Sequence, residues 1–235
     1  MAPLIIAHRT CPLQAPENSL AGLKAAAEQQ VDGVEIDLRM SLDQRPFILH
    51  DWTMRRTADW PLPLELTPSW LAHKRHLQGT EERLPSLEEV FETLATDMLL
   101  AVDVKSPWAV VPLMRQIKRR AMEKRVLVWC TSAWAARYAV RSAPDVEVAY
   151  LKDVREPEAK RDFIAKARLM GAKAISAHWL AIDAEFVAAA HALDLKVYSF
   201  HERFELTPEK LASGLDGLIT DFVAEARVSI EAAGV

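Results

Sequence analysis

Acidic, basic and imidazole side chains that could act on a phosphate ester are concentrated in the first 51 residues. They occur in four short groups: His8-Arg9, Pro16-Glu17-Asn18-Ser19, Glu35-Ile36-Asp37 and His50-Asp51. Carboxylates can hold a divalent cation, a cation and an arginine can neutralise phosphate oxygens, and imidazoles can transfer protons. Hydrolysis of a phosphate ester needs these groups together, so this segment is the first candidate for a reactive site.

Glu35 and Asp37 lie two residues apart in an apolar run that is typical of a strand. Residues at this spacing face the same side, with Cα atoms roughly 6.6 Å apart at a rise of about 3.3 Å per residue. The two carboxylates could therefore share one divalent ion. The alternatives are a solvated pair at a sheet edge and an ion pair with Arg39.

The next apolar run, which ends at His50, is too close in the sequence for a parallel crossover. It must fold back as an antiparallel hairpin on the strand that carries the two acids. With Asp43-Gln44 as a two-residue turn, Asp37 lies opposite His50 on the same face. A slip of one residue would move His50 to the other face. The hairpin is thus predicted to bring an imidazole beside the acids.

His8 ends the first apolar run, and the carboxyl ends of barrel strands are where active sites lie. The alternative for a single histidine at this place is a structural role, with the imidazole bonded to backbone groups. Arg9, the next residue, carries a planar guanidinium that suits a phosphate.

Asp103 and Lys105 are same-face charges at the end of a later strand. A plain buried ion pair would account for them. If Asp103 instead lies level with Glu35 and Asp37, it completes a set of three carboxylate ligands. Oxygen-only ligation suits Mg²⁺ or Ca²⁺ better than zinc.

Eight short apolar runs alternate with helical patterns along the chain, and these must position the reactive groups. The runs cover residues 4–7, 34–38, 99–104, 126–130, 146–151, 174–177, 196–200 and 217–220. Near-continuous apolar runs are typical of parallel strands that are buried on both faces. The pattern predicts an α/β fold, a (β/α)8 TIM barrel, with a doubly wound open sheet as the alternative.

Residues 51–85 break the alternation, because they are rich in tryptophan and proline and show little strand pattern. A connection of this length in a compact domain is usually functional. We expect a short insertion after the second strand that forms part of a wall or lid over the site.

The composition narrows the class of protein. The chain has 235 residues, half of them apolar, which fits one barrel domain over residues 1–235. A net charge of −4 gives no electrostatic reason to bind nucleic acid. Two cysteines are too few for a disulfide framework. No leader and no run of spanning length is recognised, so we expect no stable membrane insertion and a cytoplasmic location.

The ordered motifs resemble those of the glycerophosphodiester phosphodiesterase family, a branch of the phosphatidylinositol-phospholipase-C-like barrels. The similar segments are His8-Arg9, Pro16-Glu17-Asn18-Ser19, Glu35-Ile36-Asp37-Leu38, Asp43, His50-Asp51, Arg55-Arg56-Thr57, Leu84-Pro85-Ser86-Leu87-Glu88-Glu89 and Asp216-Gly217-Leu218-Ile219-Thr220-Asp221. The resemblance covers nearly the whole chain and is most specific in its first 57 residues.

The resemblance implies a (β/α)8 barrel that hydrolyses small glycerophosphodiesters to glycerol 3-phosphate and an alcohol. It implies a divalent cation, Mg²⁺ or Ca²⁺, on Glu35, Asp37 and Asp103. It further implies His8 and His50 as the acid/base pair, and Arg9 and Lys105 as substrate-binding residues. Apart from the resemblance, the sequence leaves open whether the chain forms a homodimer.

Two other functions stay open at this point. Thr10 stands where the family usually has glycine, and Asp103 where it usually has glutamate, which would fit a barrel that binds phosphodiesters without turnover. Alternatively, Lys105 could form a Schiff base, as in barrel lyases.

Overall fold

The computed structural model describes residues 2–201 and 205–235. Its strands are β1 (Leu4–Ala7), β2 (Gly33–Met40), β3 (Pro46–Ile48), β4 (Leu99–Val104), β5 (Val126–Cys130), β6 (Glu147–Lys152), β7 (Ala174–His178), β8 (Lys196–His201) and β9 (Gly217–Thr220). Eight of them are mutually parallel and follow the order β1-β9-β8-β7-β6-β5-β4-β2. Pairing of β1 with β2 closes the ring. The predicted (β/α)8 barrel is confirmed, and the open-sheet alternative is wrong.

Helices surround the barrel and connect its strands. They are α1 (Leu20–Glu28), α2 (Arg55–Ala58), α3 (Ser69–Ala72), α4 (Leu87–Thr93), α5 (Val110–Arg119), α6 (Ala133–Ser142), α7 (Pro157–Met170), α8 (Ala184–His191), α9 (Pro208–Leu211) and α10 (Val223–Ala233). The Ser19 side chain caps α1, and Ser86 and Glu89 form a complete capping box on α4. None of the described helices is both long enough and apolar enough to cross a bilayer.

Two apolar clusters explain why the strand sequences are apolar on both faces. Residues such as Ile6, Leu127 and Ile219 fill the barrel interior. The neighbouring residues along the same strands, such as Ile5 and Leu218, pack in the larger cluster that includes the surrounding helices. Burial of both faces removes the alternating pattern of a half-exposed sheet.

The β2–β3 hairpin forms, but the predicted register is wrong by one residue. Arg39 pairs with Phe47 and Met40 with Pro46, and the Ser41 N–H donates to the Arg45 carbonyl, so the turn holds three residues (42–44) instead of two. The third of them, Gln44, has φ +63°, a left-handed conformation that is typical of three-residue hairpin loops. The Leu49 N–H donates to the Asp37 carbonyl, so Leu49, and not His50, lies opposite Asp37.

Residues 51–85 contain α2, α3 and a 3-10 turn at Leu64–Leu66. Their apolar side chains form a small separate cluster with Phe47 and Leu49 of the hairpin arm. The segment is therefore anchored on the arm that leads to His50. Its predicted role as a wall or lid stays a prediction.

Asp43 fastens the hairpin turn to the start of α3. Its carboxylate accepts hydrogen bonds from the Ser69 N–H (2.7 Å), Ser69 Oγ (2.6 Å) and Ser41 Oγ (2.9 Å). Desolvation raises the pKa of Asp43, but these hydrogen bonds outweigh it and lower the pKa to about 2.

We expect Asp43→Ala to lower the free energy of unfolding by about 1 kcal/mol at neutral pH, because the carboxylate is exposed and its bonds are partly replaced by water. The folded-state pKa is below the unfolded value of about 3.9, so this stabilisation is present above that pH and is lost as the pH falls towards 2. Urea unfolding of both proteins at pH 7 and pH 3 measures the effect. An equal difference at both pH values would contradict the prediction.

Candidate active site

One cavity of about 230 Å³ in the carboxyl-terminal half of the barrel collects all the candidate residues. Its lining includes His8, Arg9, Glu35, Asp37, His50, Asp103 and Lys105. His8 follows β1 directly, the three acids lie on β2 and β4, and His50 lies two residues beyond β3. His50 thus reaches the cavity although the register that predicted its place was wrong, because it lies past the last ladder pair.

The three acids meet because β2 and β4 are adjacent and in register. Asp37 pairs with Asp103 directly across the two strands. A carboxylate oxygen from each of Glu35, Asp37 and Asp103 lies within 4.8 Å of the others, and all three residues are buried. Three carboxylates in this arrangement repel one another unless protons or cations intervene.

The pKa values of the three acids reflect their burial and this mutual repulsion. Burial, together with the Asp37 charge, raises the pKa of Glu35 to about 8. Burial also raises the pKa of Asp103. Burial acts in the same direction on Asp37, but the Lys105, His50 and Arg9 charges outweigh it and lower the pKa of that carboxyl. Of the three carboxyls, Asp37 is therefore the one whose ionised form its surroundings favour most.

Lys105 supplies the nearest cation. Its Nζ lies 2.5 Å from Asp103 Oδ2 and 3.2 Å from Asp37 Oδ1. Burial alone would lower the pKa of Lys105, but the Asp103 and Asp37 carboxylates outweigh it and raise that pKa. The lysine is thus a permanent positive charge beside the acids.

The donor set fits a hard divalent cation. Asp103 Oδ1 is buried and has no hydrogen-bond partner among the described residues, so it offers an open ligand position. Three carboxylates without cysteine or histidine suit Mg²⁺ or Ca²⁺. The carboxylate cluster therefore fits a divalent cation with oxygen ligands.

Each imidazole is bonded through Nδ1 to its own carboxylate. His8 Nδ1 lies 2.7 Å from Asp221 Oδ1, and His50 Nδ1 lies 2.7 Å from Asp51 Oδ1. Such a bond fixes the ring and leaves Nε2 to exchange protons. Burial would lower the pKa of His8, but the Asp221 hydrogen bond and the Glu35 charge raise it above its ordinary value.

The turn after β1 bends sharply to present Arg9. Arg9, Thr10 and Cys11 have φ values of +43°, +65° and +82°, so three consecutive residues adopt the left-handed conformation. Backbone strain of this kind persists only where the surroundings impose it. Here the Arg9 N–H donates to Glu35 Oε2 (2.9 Å), and Thr10 Oγ1 accepts from the Ser19 N–H (3.1 Å).

The Arg9 guanidinium is held in place by two carboxylates, but they do not use all of its hydrogen-bond donors. Its Nη1 lies 3.3 Å from Glu17 Oε2 and its Nε 3.4 Å from Asp37 Oδ2. The Nε–H of this ion pair is buried and makes no hydrogen bond within the described part of the chain. A donor remains available for an anionic ligand.

Sequence reasoning assigned no role to several residues that hold the site together. Asn18 donates to Asp37 Oδ2 (2.8 Å) and accepts from the Asp37 N–H (3.0 Å). Arg56 bonds both Glu17 oxygens (2.6 and 2.8 Å) and both Asp51 oxygens (2.7 and 3.1 Å). The Pro16–Ser19 and Arg55–Thr57 motifs were the available signals, but their partners could not be read from them.

Comparison with known proteins places this site in context. A profile of the Glycerophosphoryl diester phosphodiesterase family matches residues 8–225. A glycerophosphodiester phosphodiesterase from Caldanaerobacter subterraneus subsp. tengcongensis is 28% identical over 235 aligned residues, which cover 94% of this chain and 95% of that protein. Glycerophosphodiester phosphodiesterase 1 from Rattus norvegicus is 36% identical over 110 residues, covering 43% of this chain and 33% of the rat protein.

Solved structures share the fold. A phosphodiesterase from Oleispira antarctica, in complex with the product sn-glycerol-3-phosphate, has a TM-score of 0.80 at 23% identity and covers 98% of this chain and 97% of its own. A glycerophosphodiester phosphodiesterase from Parabacteroides distasonis has a TM-score of 0.82 at 18% identity, with 100% and 99% covered. With the profile spanning nearly its whole length, the chain belongs to the glycerophosphoryl diester phosphodiesterase family.

Proposed function

We propose that this enzyme hydrolyses small glycerophosphodiesters to glycerol 3-phosphate and an alcohol, with Mg²⁺ or Ca²⁺ as cofactor. The observation that carries the proposal is the convergence, in one cavity, of three buried carboxylates, an arginine and two carboxylate-bonded imidazoles. The product bound to the Oleispira antarctica relative supports glycerol phosphate as one product.

Glu35, Asp37 and Asp103 would hold the cation. When bound there, it would supply positive charge to a phosphate oxygen and offset the charge that grows during hydrolysis. The open Asp103 oxygen and the mutual repulsion of the acids favour its binding.

The protein's own cations bind the phosphate in this proposal. The Arg9 Nε–H lies 3.4 Å from Asp37 Oδ2 but makes no hydrogen bond within the described residues, and Lys105 is a cation beside the acids. Both can contact non-bridging phosphate oxygens, where negative charge accumulates in the transition state.

The two imidazoles move the protons. One Nε2 accepts the proton of the attacking oxygen. If that oxygen is a water, the step gives glycerol 3-phosphate directly; if it is the glycerol 2-hydroxyl, the step gives a cyclic phosphate, which a water then opens with the same two imidazoles. The other Nε2 donates a proton to the leaving alkoxide. Asp221 and Asp51 hold the two rings in the required tautomer.

The two alternatives are less well supported. A Schiff base requires a neutral amine, and the Asp103 and Asp37 carboxylates raise the pKa of Lys105 instead. A barrel that only binds phosphodiesters would not need two imidazoles, each bonded to its own carboxylate. The cytoplasmic location, the single-domain assignment and the homodimer stay predictions.

The function is tested by the release of glycerol phosphate from glycerophosphocholine, glycerophosphoethanolamine and glycerophosphoglycerol. We expect release in the presence of Mg²⁺ or Ca²⁺, loss of release with EDTA, and recovery when one cation is restored. Metal-dependent binding without release would favour the non-catalytic alternative. Trapping of a carbonyl substrate on Lys105 by borohydride would favour the lyase.

Arg56 joins the acid that holds His50 to the acid that holds Arg9, so its loss should disturb both sides of the site. We expect Arg56→Met to lower kcat/KM about tenfold. Arg56→Lys should recover only part, because an ammonium cannot bond both carboxylates in bidentate fashion. Arg119→Met, which removes an exposed ion pair with Glu88, is the matched control. Wild-type kcat/KM in Arg56→Met would contradict the prediction.

A further inference from the structure

A second cavity opens beside the active site and is not used by the mechanism. It has a volume of about 630 Å³. This side groove is lined by residues that include Leu13, His201, Glu205, Leu206, Phe222 and Glu225. His201 also lines the active-site cavity, so the two spaces meet at this side chain. A substrate whose phosphate is held by the reactive groups can therefore extend one of its ends into the side groove.

The side groove is formed by three connections that are neighbours around the barrel. Leu13 follows β1, Glu205 and Leu206 follow β8, and the other two residues, Phe222 and Glu225, follow β9. The ring order β1-β9-β8 puts these three strands side by side. All three connections leave the carboxyl ends of their strands, which is the end of the barrel where the reactive groups lie.

Hydrogen bonds attach the walls of the side groove to the end of the barrel. The Trp179 Nε1–H donates to the Glu205 carbonyl (3.0 Å). The Phe222 N–H donates to Thr220 Oγ1 (3.0 Å), and the same hydroxyl lies 3.0 Å from His201 Nδ1. The Phe222 and His201 rings meet edge-on, with 6.2 Å between their centroids. The aromatic side of the groove is therefore tied to the side chain that borders the active site.

The lining of the side groove combines apolar side chains with two unpaired acids. Leu13 is 58% exposed, and Leu206 and Phe222 are half-buried. Glu205 and Glu225 are exposed, and neither carboxylate has a hydrogen-bond or ion-pair partner among the described residues. Apolar side chains favour contact with an apolar group, and unpaired carboxylates attract a positive charge. The groove therefore suits a group that carries positive charge behind an apolar surface.

We propose that the side groove binds the alcohol end of the substrate and selects a choline-type alcohol, whose quaternary ammonium is a cation covered by methyl groups. The inference rests on the proposed function. The methyl groups contact Leu13 and Leu206, and the Phe222 ring faces the positive charge, as aromatic rings do in other sites for quaternary ammonium groups. Glu205 and Glu225 add opposite charge around the cation. The glycerol end suits the groove less well, because its hydroxyls need hydrogen-bond partners that apolar side chains do not offer.

A neutral copy of choline tests the role of the charge. The alcohol 3,3-dimethylbutanol has the shape of choline with carbon in place of nitrogen, so its glycerophosphodiester differs from glycerophosphocholine in charge and hardly in size. For the wild type at low ionic strength, we expect kcat/KM for glycerophosphocholine to be about tenfold above that for the neutral copy, because the aromatic ring and the two exposed carboxylates each contribute modestly. The preference should shrink in about 0.5 M NaCl, since salt screens exposed charges. Equal kcat/KM values at low ionic strength would overturn the proposal.

Removal of the two charges tests the residues. In Glu205→Gln/Glu225→Gln we expect the preference to fall from about tenfold to about threefold, through a loss of kcat/KM for glycerophosphocholine and little change for the neutral copy. Both side chains are exposed, so the melting temperature should stay at the wild-type value. Glu231→Gln is the matched control, because Glu231 is an exposed glutamate on the same helix as Glu225 and does not line the side groove. A double variant that keeps the wild-type preference would contradict the assignment.

Binding without turnover separates the side groove from the proposed function. Calorimetry in Mg²⁺ with His50→Ala should show glycerophosphocholine binding about tenfold more tightly than the neutral copy. If this difference holds but the wild type hydrolyses no glycerophosphodiester, the side groove stands and the proposed function fails. If hydrolysis occurs without any preference for the cationic alcohol, the proposed function stands and the inference fails. Faster hydrolysis of 1-acyl-glycerophosphocholine than of glycerophosphocholine would assign the groove to an acyl chain and would also overturn the inference.

Discussion

Replacing His50 or His8 with alanine is expected to lower kcat by about 10²–10⁴-fold and to leave the fold intact. Each imidazole sits at a rim of the site cavity and is partly exposed, so neither is a core residue. Each is also bonded to a carboxylate that fixes its Nδ1, which is the arrangement of a general acid or base. The loss should appear in kcat and kcat/KM together, because proton transfer is made only in the transition state.

The pair should behave as a unit. The double variant His8→Ala/His50→Ala should be little slower than either single variant, since one proton transfer without the other gains little. The pH profile of wild-type kcat/KM should be bell-shaped, with one limb lost in each single variant. His76→Ala, an exposed histidine outside the cavity, should retain wild-type rates and serves as control. Near wild-type kcat in His50→Ala would end the proposed mechanism.

The barrel could be predicted because its physical cause is local. A parallel strand covered on both faces must be apolar at nearly every position, and the eight predicted runs all became barrel strands. Even the positions of the acids followed from the two-residue repeat of β2. The second run was underestimated, as residues 34–38 against Gly33–Met40, and the two residues added at its carboxyl end, Arg39 and Met40, pair with the hairpin arm.

The hairpin register could not be read in the same way. Two- and three-residue turns both suit the Leu42-Asp43-Gln44 segment, and a turn without glycine gives little signal to separate them. The structure selects three residues, with Gln44 in the left-handed region. Asp43 then reaches Ser69 of the insertion, a contact that no local pattern encodes.

The sequence also could not predict side-chain contacts that depend on closure of the barrel. Asp221 lies 213 residues from His8 in the sequence, yet the β1–β9 register pairs Ala7 with Thr220, so the next residues meet. A closed barrel predicts only that its last strand lies beside its first. The level at which the two strands pair is set by side-chain packing and stagger around the whole ring.

The proposed cation site leads to the second large effect, on Glu35→Gln. Removing one of the three proposed carboxylate ligands is expected to lower kcat/KM by about 10²–10³-fold in saturating Mg²⁺, since a bound cation would contribute several kcal/mol to the transition state. We also expect Mg²⁺ to raise the melting temperature of the wild type and not that of the variant. Glu147→Gln is the matched control, because Lys196 pairs with that carboxylate at 2.7 Å as Lys105 pairs with Asp103, but away from the cavity.

Without a cation, the same variant should be as stable as the wild type or more stable. Burial and the Asp37 charge raise the folded-state pKa of Glu35 to about 8, above the unfolded value of about 4.3. The folded protein therefore holds a proton that the unfolded chain releases, and wild-type stability in EDTA should fall as the pH rises between these values. Glutamine cannot ionise, so Glu35→Gln should lack this part of the decline. Denaturant unfolding in EDTA at pH 5 and pH 8 measures how the free energy of unfolding of each protein changes with pH. If the free energy of unfolding falls equally with pH in the wild type and in Glu35→Gln, then Glu35 is ionised throughout. In that case the acids do not form the mutually repelling cluster on which cation binding depends.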